Sequence, residues 1–205
     1  MAEPEKPQLY LITPANPGLS LFSSRLISAL DVAEVACLRL STAGMDEDAV
    51  RRAADTMREI THARDIPLVI EDHAKLVTPL GLDGVHLGDG GRRVREIRKE
   101  LGRDAIIGAH CGTQRHDGLN AAEAGSDYVS FGPVGASALG DGSQAGTDLF
   151  SWWSEMIEVP VVAEGNLDEE HMATLSQITD FVAIGSEIWA HDNPAERLTV
   201  LLNAL

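Results

Sequence analysis

Short apolar runs alternate with amphipathic segments along the chain, and most of the runs end abruptly in glycine or a polar residue. Four runs of this form lie between Leu82 and Ser186, at 83–88, 105–110, 127–132 and 181–186, and a fifth lies at 159–165. Strands this apolar are typical of parallel sheets, whose two faces are both covered by helices. The polar residues just past their ends predict the mouth of a closed (β/α) barrel, where active sites are built.

Strand and helix patterns alternate throughout, which is the sequence pattern of βα units. We predict strands at 8–13, 34–40, 67–71, 84–87, 105–110, 128–131, 160–163 and 181–184. Helices are predicted at 19–31, 46–64, 73–80, 92–99, 115–124, 169–177 and 194–204, and a further helix carries Trp152 and Trp153. The segment 132–146, rich in Gly, Ser and Ala, is predicted to be a long irregular loop. The fold class is therefore α/β, a single (β/α)8 TIM barrel over residues 1–205.

Composition and charge limit the cellular location and the binding partners that we expect for this barrel. At 205 residues and 44% hydrophobic content, the chain can bury one sizeable core. Cys37 and Cys111 are its two cysteines, too few for a disulfide framework, which predicts a reduced cytoplasmic location. The sequence shows no signal peptide and no apolar stretch long enough for a membrane span, so no membrane partner is expected. A net charge of −16 argues against nucleic acid, because binding a polyanion needs a basic face.

The polar residues that follow the predicted strands should meet around one mouth. They are Thr13, Arg39, Glu71, Asp72, Asp89, His110, Cys111, Gly132, Glu164, Gly165, Asn166, Gly185 and Ser186. Gly165-Asn166 and Gly185-Ser186 follow strands seven and eight, whose loops commonly bind phosphate through backbone N–H groups in this fold. The expected partner is therefore a small phosphorylated substrate.

Several of these residues have a chemical and a structural interpretation. His110 is a candidate acid or base near neutral pH, or a hydrogen-bonded structural residue. Glu164 is either an acid/base group or a surface charge, and Cys111 is a nucleophile only if a partner lies beside it. Glu71 and Asp72 form a candidate Mg²⁺ site, with a helix N-cap at Asp72 as the alternative.

Two further features are predicted to be structural. His86 lies within a strand, so we expect it to form hydrogen bonds inside the barrel wall. The pair Trp152-Trp153 is expected to pack against the barrel or against a second subunit, which leaves a homodimer open.

Five motifs, in the same order along the chain, resemble those of the thiamine phosphate synthases and of the related thiazole tautomerases. They are Leu9-Tyr10-Leu11-Ile12-Thr13, the run Asp83–Gly88, Ile106-Ile107-Gly108, the run Gly125–Val134, and Val159-Pro160-Val161-Val162-Ala163. The resemblance extends from Leu9 to about Ile188. It implies a (β/α) barrel that joins a pyrimidine pyrophosphate to a thiazole phosphate, with Mg²⁺ holding the pyrophosphate.

The resemblance also implies roles for particular residues, some of which are changed here. Arg39 is kept at the end of strand two, but Ser41 stands where the family has Lys. Asp72 keeps a carboxylate after strand three. The metal-binding Asp after strand four is missing, although Asp89 lies two positions away. The Thr-x-Thr-Lys motif that grips the pyrophosphate corresponds to Ser137-Ala138-Leu139-Gly140, which contains no Lys.

The thiazole phosphate half of the pattern is kept better than the pyrophosphate half. The family's Gly-Gly turn after strand seven reads Gly165-Asn166, and the closing Ser is kept as Ser186. Departure of pyrophosphate is accelerated when cations neutralise its developing charge, so the loss of two Lys and a metal carboxylate should slow it.

Three functional hypotheses follow from this uneven pattern. We favour a thiamine phosphate synthase-like transferase of thiamine biosynthesis whose standard activity is weak or altered. The first alternative is a thiazole phosphate tautomerase or isomerase that uses His110 or Glu164 as acid/base. The second alternative is a non-catalytic protein that binds thiamine precursors or has a regulatory role.

Overall fold

The computed structural model describes residues 6–136 and 142–205, which form a closed barrel of eight parallel strands in sequence order. The strands are β1 (Gln8–Ile12), β2 (Val35–Leu40), β3 (Leu68–Glu71), β4 (Gly84–Leu87), β5 (Ile106–His110), β6 (Tyr128–Phe131), β7 (Val161–Glu164) and β8 (Phe181–Ile184). Strand β1 pairs with β2 on one side and with β8 on the other, which closes the barrel. The prediction of a TIM barrel is confirmed.

Helices follow the strands around the outside of the barrel. They are α1 (Leu19–Leu30), α2 (Glu47–His62), α3 (Ala74–Leu80), α4 (Val94–Leu101), α5 (Arg115–Ala124), α6 (Thr147–Met156), α7 (Glu169–Leu175), α8 (Ser186–Trp189) and α9 (Pro194–Leu202). A 3-10 turn at Gly90–Arg92 precedes α4, and the four-residue helix α8 was not predicted from the sequence. No helix in the two described ranges is long and apolar enough to cross a membrane.

The alternation of side chains along each strand produces two cores. Outward residues such as Leu9 and Leu11 pack beneath the helices in the larger core. Inward residues fill the barrel itself, where they form a separate cluster of Tyr10, Cys37, Val69, Tyr128, Val162 and Ala183. This packing follows from the period of two in a strand, which sends neighbouring side chains to opposite faces.

A glycine in β5 makes room for Tyr128, one of the two tyrosines in the barrel interior. A Cβ atom on Gly108 would lie 2.0 Å from Cζ of Tyr128, so only glycine lets the tyrosine ring cross β5. The Tyr128 hydroxyl lies 2.7 Å from the Tyr10 hydroxyl and 2.9 Å from Nδ1 of His86. His86 therefore forms hydrogen bonds inside the barrel, as its position in a strand predicts.

The loop after β6 is fixed to the turn after β7. The N–H of Val134 donates to the carbonyl of Glu164 at 3.0 Å, and the N–H of Gly135 donates to that of Gly165 at 2.9 Å. Nδ2 of Asn166 donates to the carbonyl of Ala136 at 2.9 Å. These bonds hold the start of the long loop over one side of the barrel mouth.

The adjacent tryptophans of α6 have separate environments. Trp153 is fully buried, packs edge-on against Phe131 and donates its indole N–H to the carbonyl of Val159 at 2.8 Å. Trp152 is partly buried, and the Arg115 guanidinium lies 4.8 Å from its ring centre. Packing within the chain accounts for Trp153 and does not itself require a second subunit.

Candidate active site

A cavity of about 580 Å³ opens at the carboxyl ends of the strands. Most of the predicted site residues line it, namely Arg39, His110, Glu164, Gly165, Asn166, Gly185 and Ser186. They come from β2, β5, β7 and β8 and the loops that follow them, so the closed barrel brings distant segments together. Glu71, Asp72 and Asp89 lie outside the lining of this cavity.

A buried ion pair forms the floor of the cavity. Nη1 of Arg39 lies 2.9 Å from Oε2 of Glu164, and the two side chains are only 7% and 12% exposed. The same Nη1 lies 2.6 Å from Nε2 of His86. Burial and the neighbouring guanidinium lower the pKa of His86, so the imidazole is neutral and its Nε2 accepts from Arg39.

The ionisation of Glu164 is set by its two partners. Burial alone would raise the pKa of Glu164, but Arg39 and His110 outweigh it and hold that pKa well below its ordinary value. Burial likewise opposes the charge on Arg39, and Glu164 is the strongest of the groups that raise its pKa. Both groups are charged at neutral pH, and each cancels the charge of the other inside the barrel.

His110 forms a dyad with the same carboxylate. Its Nδ1 lies 2.7 Å from Oε1 of Glu164 and 3.1 Å from the hydroxyl of Ser130. Because Glu164 is ionised, Nδ1 carries the proton that it donates, and Nε2 becomes the ring nitrogen that can accept a proton. A carboxylate that orients an imidazole in this way is typical of general acid–base sites.

The Glu71 carboxylate forms a hydrogen bond with the residue that follows β2. Its Oε2 accepts from the Ser41 hydroxyl at 2.9 Å, and its backbone carbonyl accepts from the Thr42 hydroxyl at 3.2 Å. Ser41 stands where the family resemblance implies a lysine. This contact ties the end of β3 to the end of β2.

Asp72 and Asp89 share an arginine. Nη2 of Arg93 donates to Oδ1 of Asp72 at 2.7 Å, and Nε of Arg93 donates to Oδ2 of Asp89 at 2.7 Å. The N–H of Gly88 also donates to Oδ1 of Asp72, at 3.1 Å. A guanidinium therefore bridges the two carboxylates in the manner expected of a cation. In this arrangement the residues do not fit a Mg²⁺ ion, because Arg93 occupies one oxygen of each carboxylate and its positive charge opposes a second cation between them.

A different trio has donor atoms close enough to hold a metal. Among the described residues, only His86, His110 and Glu164 form such a group, with ligand atoms within 4.8 Å of one another. Arg39 already donates to His86 and pairs with Glu164, two of the three members of this group. A fixed cation thus already uses Nε2 of His86 and Oε2 of Glu164, which a metal would need as ligands.

The loops after β7 and β8 are joined by a residue that sequence reasoning missed. Oε2 of Glu187 accepts from the N–H of Gly185 at 2.7 Å, and its Oε1 accepts from the N–H of Leu167 at 3.2 Å. Glu187 also lines the cavity. Its position directly after the predicted phosphate residue Ser186 was the one available signal, since a carboxylate there opposes an anion.

Cys111 has the environment of a structural thiol. It is buried, its Sγ lies 3.4 Å from the carbonyl of Ala109, and burial raises its pKa to about 12. A protonated thiol is a poor nucleophile, which argues against a catalytic role. The predicted change at Ser137-Ala138-Leu139-Gly140 lies outside the described residues.

A closed parallel barrel with a charged cavity at the carboxyl ends of its strands belongs to the class of TIM barrels with an enzyme-type site. A family model described as thiamine monophosphate synthase matches residues 9–188. The chain belongs to that family, which acts in thiamine biosynthesis, and the resemblance of its motifs is confirmed.

Individual relatives are similar over nearly the whole chain. The thiamine-phosphate synthase of Rhodospirillum centenum is 37% identical over 188 residues, which cover 90% of each chain. That of Erythrobacter litoralis is 37% identical over 202 residues, covering 95% of this chain and 94% of the relative. The fold matches the thiamine phosphate pyrophosphorylase from Pyrococcus furiosus with a TM-score of 0.83 and 21% identity, covering 96% of this chain and 94% of that one.

Proposed function

We propose that this protein is a transferase that joins a pyrimidine carried on pyrophosphate to a thiazole, with slow turnover under the standard conditions of its family. The family match over 9–188 is the observation that carries this proposal. The mouth cavity supports it, because residues from four strands converge there around a space large enough for a small heterocycle.

In this proposal Arg39 and the turns at Gly165-Asn166 and Gly185-Ser186 contact the thiazole partner. The ring nitrogen of the thiazole attacks the methylene carbon of the pyrimidine, and the carbon–oxygen bond to pyrophosphate breaks with its electron pair on the leaving group. His110 is held by Glu164 and lines the cavity wall, where its imidazole ring places a polar edge beside the reacting ligands.

The charge balance of the site supports slow turnover. Developing charge on departing pyrophosphate needs compensating cations, and loss of one such contact commonly costs about 10²–10³ in rate. Arg39 is paired with Glu164, and Arg93 is paired with both Asp72 and Asp89. Although the family resemblance implies Mg²⁺, the Asp72 and Asp89 carboxylates are bound to Arg93, and the proposal uses no step through the metal.

A steady-state assay tests the proposal directly. The protein is given the pyrimidine pyrophosphate, Mg²⁺ and the thiazole, supplied either as its phosphate or as the free alcohol, and product is measured by chromatography. We expect slow formation of a coupled product that is abolished by Arg39→Ala. Turnover of thiazole phosphate at ordinary enzyme rates would refute the altered activity, and no product with either thiazole would refute the transferase.

A second candidate function rests on the dyad of His110 and Glu164. An imidazole oriented by a buried carboxylate can remove and return a proton, which is the chemistry of a thiazole tautomerase. If coupling fails, a tautomer assay on wild type, His110→Ala and Glu164→Gln tests this alternative. Loss of tautomerisation in both variants, with retained thiazole binding, would support it.

The binding partners and the cellular location that we propose follow from the predicted chemistry. Small phosphorylated compounds of thiamine synthesis are the expected partners, without nucleic acid or membrane, and a homodimer stays a prediction. We propose a cytoplasmic location because both cysteines are free thiols, as a reducing compartment would keep them.

A further inference from the structure

The Glu187 carboxylate bridges the two loops that were expected to hold a phosphate. One oxygen accepts from Gly185, the last residue before α8, and the other accepts from Leu167, in the loop after β7. The contact with Gly185 alone would be an ordinary cap of a short helix. The contact with Leu167 comes from a loop 20 residues away and gives the carboxylate two converging N–H donors. Converging backbone N–H groups are the usual ligands of a phosphate oxygen.

The charges around the cavity also disfavour a second anion. Among the described residues that line it, Arg39 is the only Lys or Arg, whereas Glu164 and Glu187 are both acidic. Arg39 is 2.9 Å from Glu164 and is neutralised by it, which leaves Glu187 as the uncompensated charge. The surrounding protein carries a net charge of −16 and adds to this negative potential.

We propose that Glu187 is a specificity-determining residue whose carboxylate takes the place of the ligand's phosphate, so that the cavity selects the thiazole as the free alcohol. This inference rests on the proposed function for the identity of the thiazole. The alcohol needs only a hydrogen-bonding partner at the end of its side chain, which the exposed Ser186 hydroxyl or the Glu187 carboxylate can supply. Coupling then gives the unphosphorylated thiazolium alcohol and pyrophosphate.

Calorimetry with three probes tests this inference. The probes are inorganic phosphate, the thiazole phosphate and the thiazole alcohol, each titrated into the full chain as wild type, Glu187→Ala and Glu187→Gln. Glu170→Ala is the matched control, because Glu170 is an exposed acidic residue on α7. The Gln variant keeps an acceptor oxygen for one of the two N–H groups while removing the charge, so it tests charge even if the Ala variant folds poorly.

We expect wild type to bind the alcohol more tightly than the phosphate ester, and the Glu187 variants to reverse this order. Inorganic phosphate should bind at least about tenfold more tightly to Glu187→Ala than to wild type, a factor that corresponds to about 1.4 kcal/mol. Glu170→Ala should behave as wild type with all three probes.

The outcomes separate this inference from the proposed function. If wild type binds the phosphate ester as tightly as the alcohol and the Glu187 variants change nothing, the inference is overturned and the transferase proposal stands. If no variant binds either thiazole, the proposed function fails together with the identity of the ligand. Inorganic phosphate then still decides whether Glu187 stands in for an anion, since a gain in Glu187→Ala supports that role and no gain refutes it.

Discussion

Removing the charge of Glu164 should be among the most damaging single changes in the barrel. In the variant Glu164→Gln the Arg39 guanidinium, only 7% exposed, keeps its positive charge but loses its carboxylate. His86 cannot replace that carboxylate, because burial and Arg39 lower its pKa and keep it neutral. The variant therefore contains a buried cation without a counter-ion.

The size of the effect follows from the geometry. Two unit charges about 4 Å apart attract by about 4 kcal/mol at an effective dielectric constant of about 20. Removing one partner of a buried pair costs about 3–5 kcal/mol, because the other charge stays desolvated. With a urea m-value near 2 kcal/mol/M, we expect the unfolding midpoint of Glu164→Gln to fall by about 2 M.

The assay is urea unfolding followed by far-ultraviolet circular dichroism, with Glu158→Gln as the control because Glu158 is exposed. The double variant Arg39→Met/Glu164→Leu removes both charges and should be more stable than Glu164→Gln alone, since apolar replacements of buried pairs are often neutral or stabilising. A Glu164→Gln midpoint within about 0.5 M of wild type would refute the reasoning. So would a double variant whose loss equals the sum of the two single losses.

Three further predictions follow from the described contacts. Because the pKa of His86 is lowered in the fold, the unfolded chain binds its proton first, so the free energy of unfolding should fall as pH drops below 6.5. Because the pKa of Glu164 is also lowered, the loss of stability should become steeper below about pH 4.5. Urea unfolding midpoints measured across pH would check both effects, and the variant His86→Gln should flatten the pH dependence at about pH 6. Gly108→Ala should cost at least about 1–3 kcal/mol in the same urea assay, because the new Cβ meets the Tyr128 ring at 2.0 Å. The control Gly18→Ala has open space around it and should cost only about 0.5 kcal/mol, because Gly18 is the N-cap of α1, where alanine is disfavoured. Arg93→Ala should change the free energy of unfolding by less than about 1 kcal/mol, because the ion pairs of Arg93 are partly exposed. Calorimetry should nevertheless detect tighter Mg²⁺ binding in this variant. If the variant binds Mg²⁺ as weakly as wild type does, Arg93 does not exclude the metal.

The sequence predicts the barrel well because every strand carries its own signal. Apolar runs that end in glycine or a polar residue fix the number and order of the strands, and parallel pairing then fixes which ends share a mouth. Strand β7 shows where such patterns fail. It was predicted to end at Ala163, but Glu164 continues it as a buried inward-facing residue, because Arg39 on β2 supplies the charge that burial requires.

The site is less predictable from the sequence because its chemistry depends on pairings between distant segments. Spacing could bring Arg39, His110 and Glu164 to one mouth, but it could not show that one carboxylate joins the other two residues. Arg93 belongs to the segment predicted as a helix at 92–99, yet its side chain lies between Asp72 and Asp89. Long side chains reach several ångströms from their Cα atoms, so a motif does not determine their partners.

Glu187 and Arg93 are the same kind of change at two parts of one mouth. A carboxylate accepts from two loop N–H groups that could otherwise face a phosphate, and a guanidinium bridges two carboxylates that could otherwise face a divalent cation. Each side chain carries the charge sign of the ion that it would replace, so each satisfies its loops without a ligand. A free ion must displace a group that the chain tethers beside the site, which lowers the affinity for that ion. The local structure of the mouth therefore does not depend on either ion, and this is why we expect a ligand with fewer charges than the family's usual substrates.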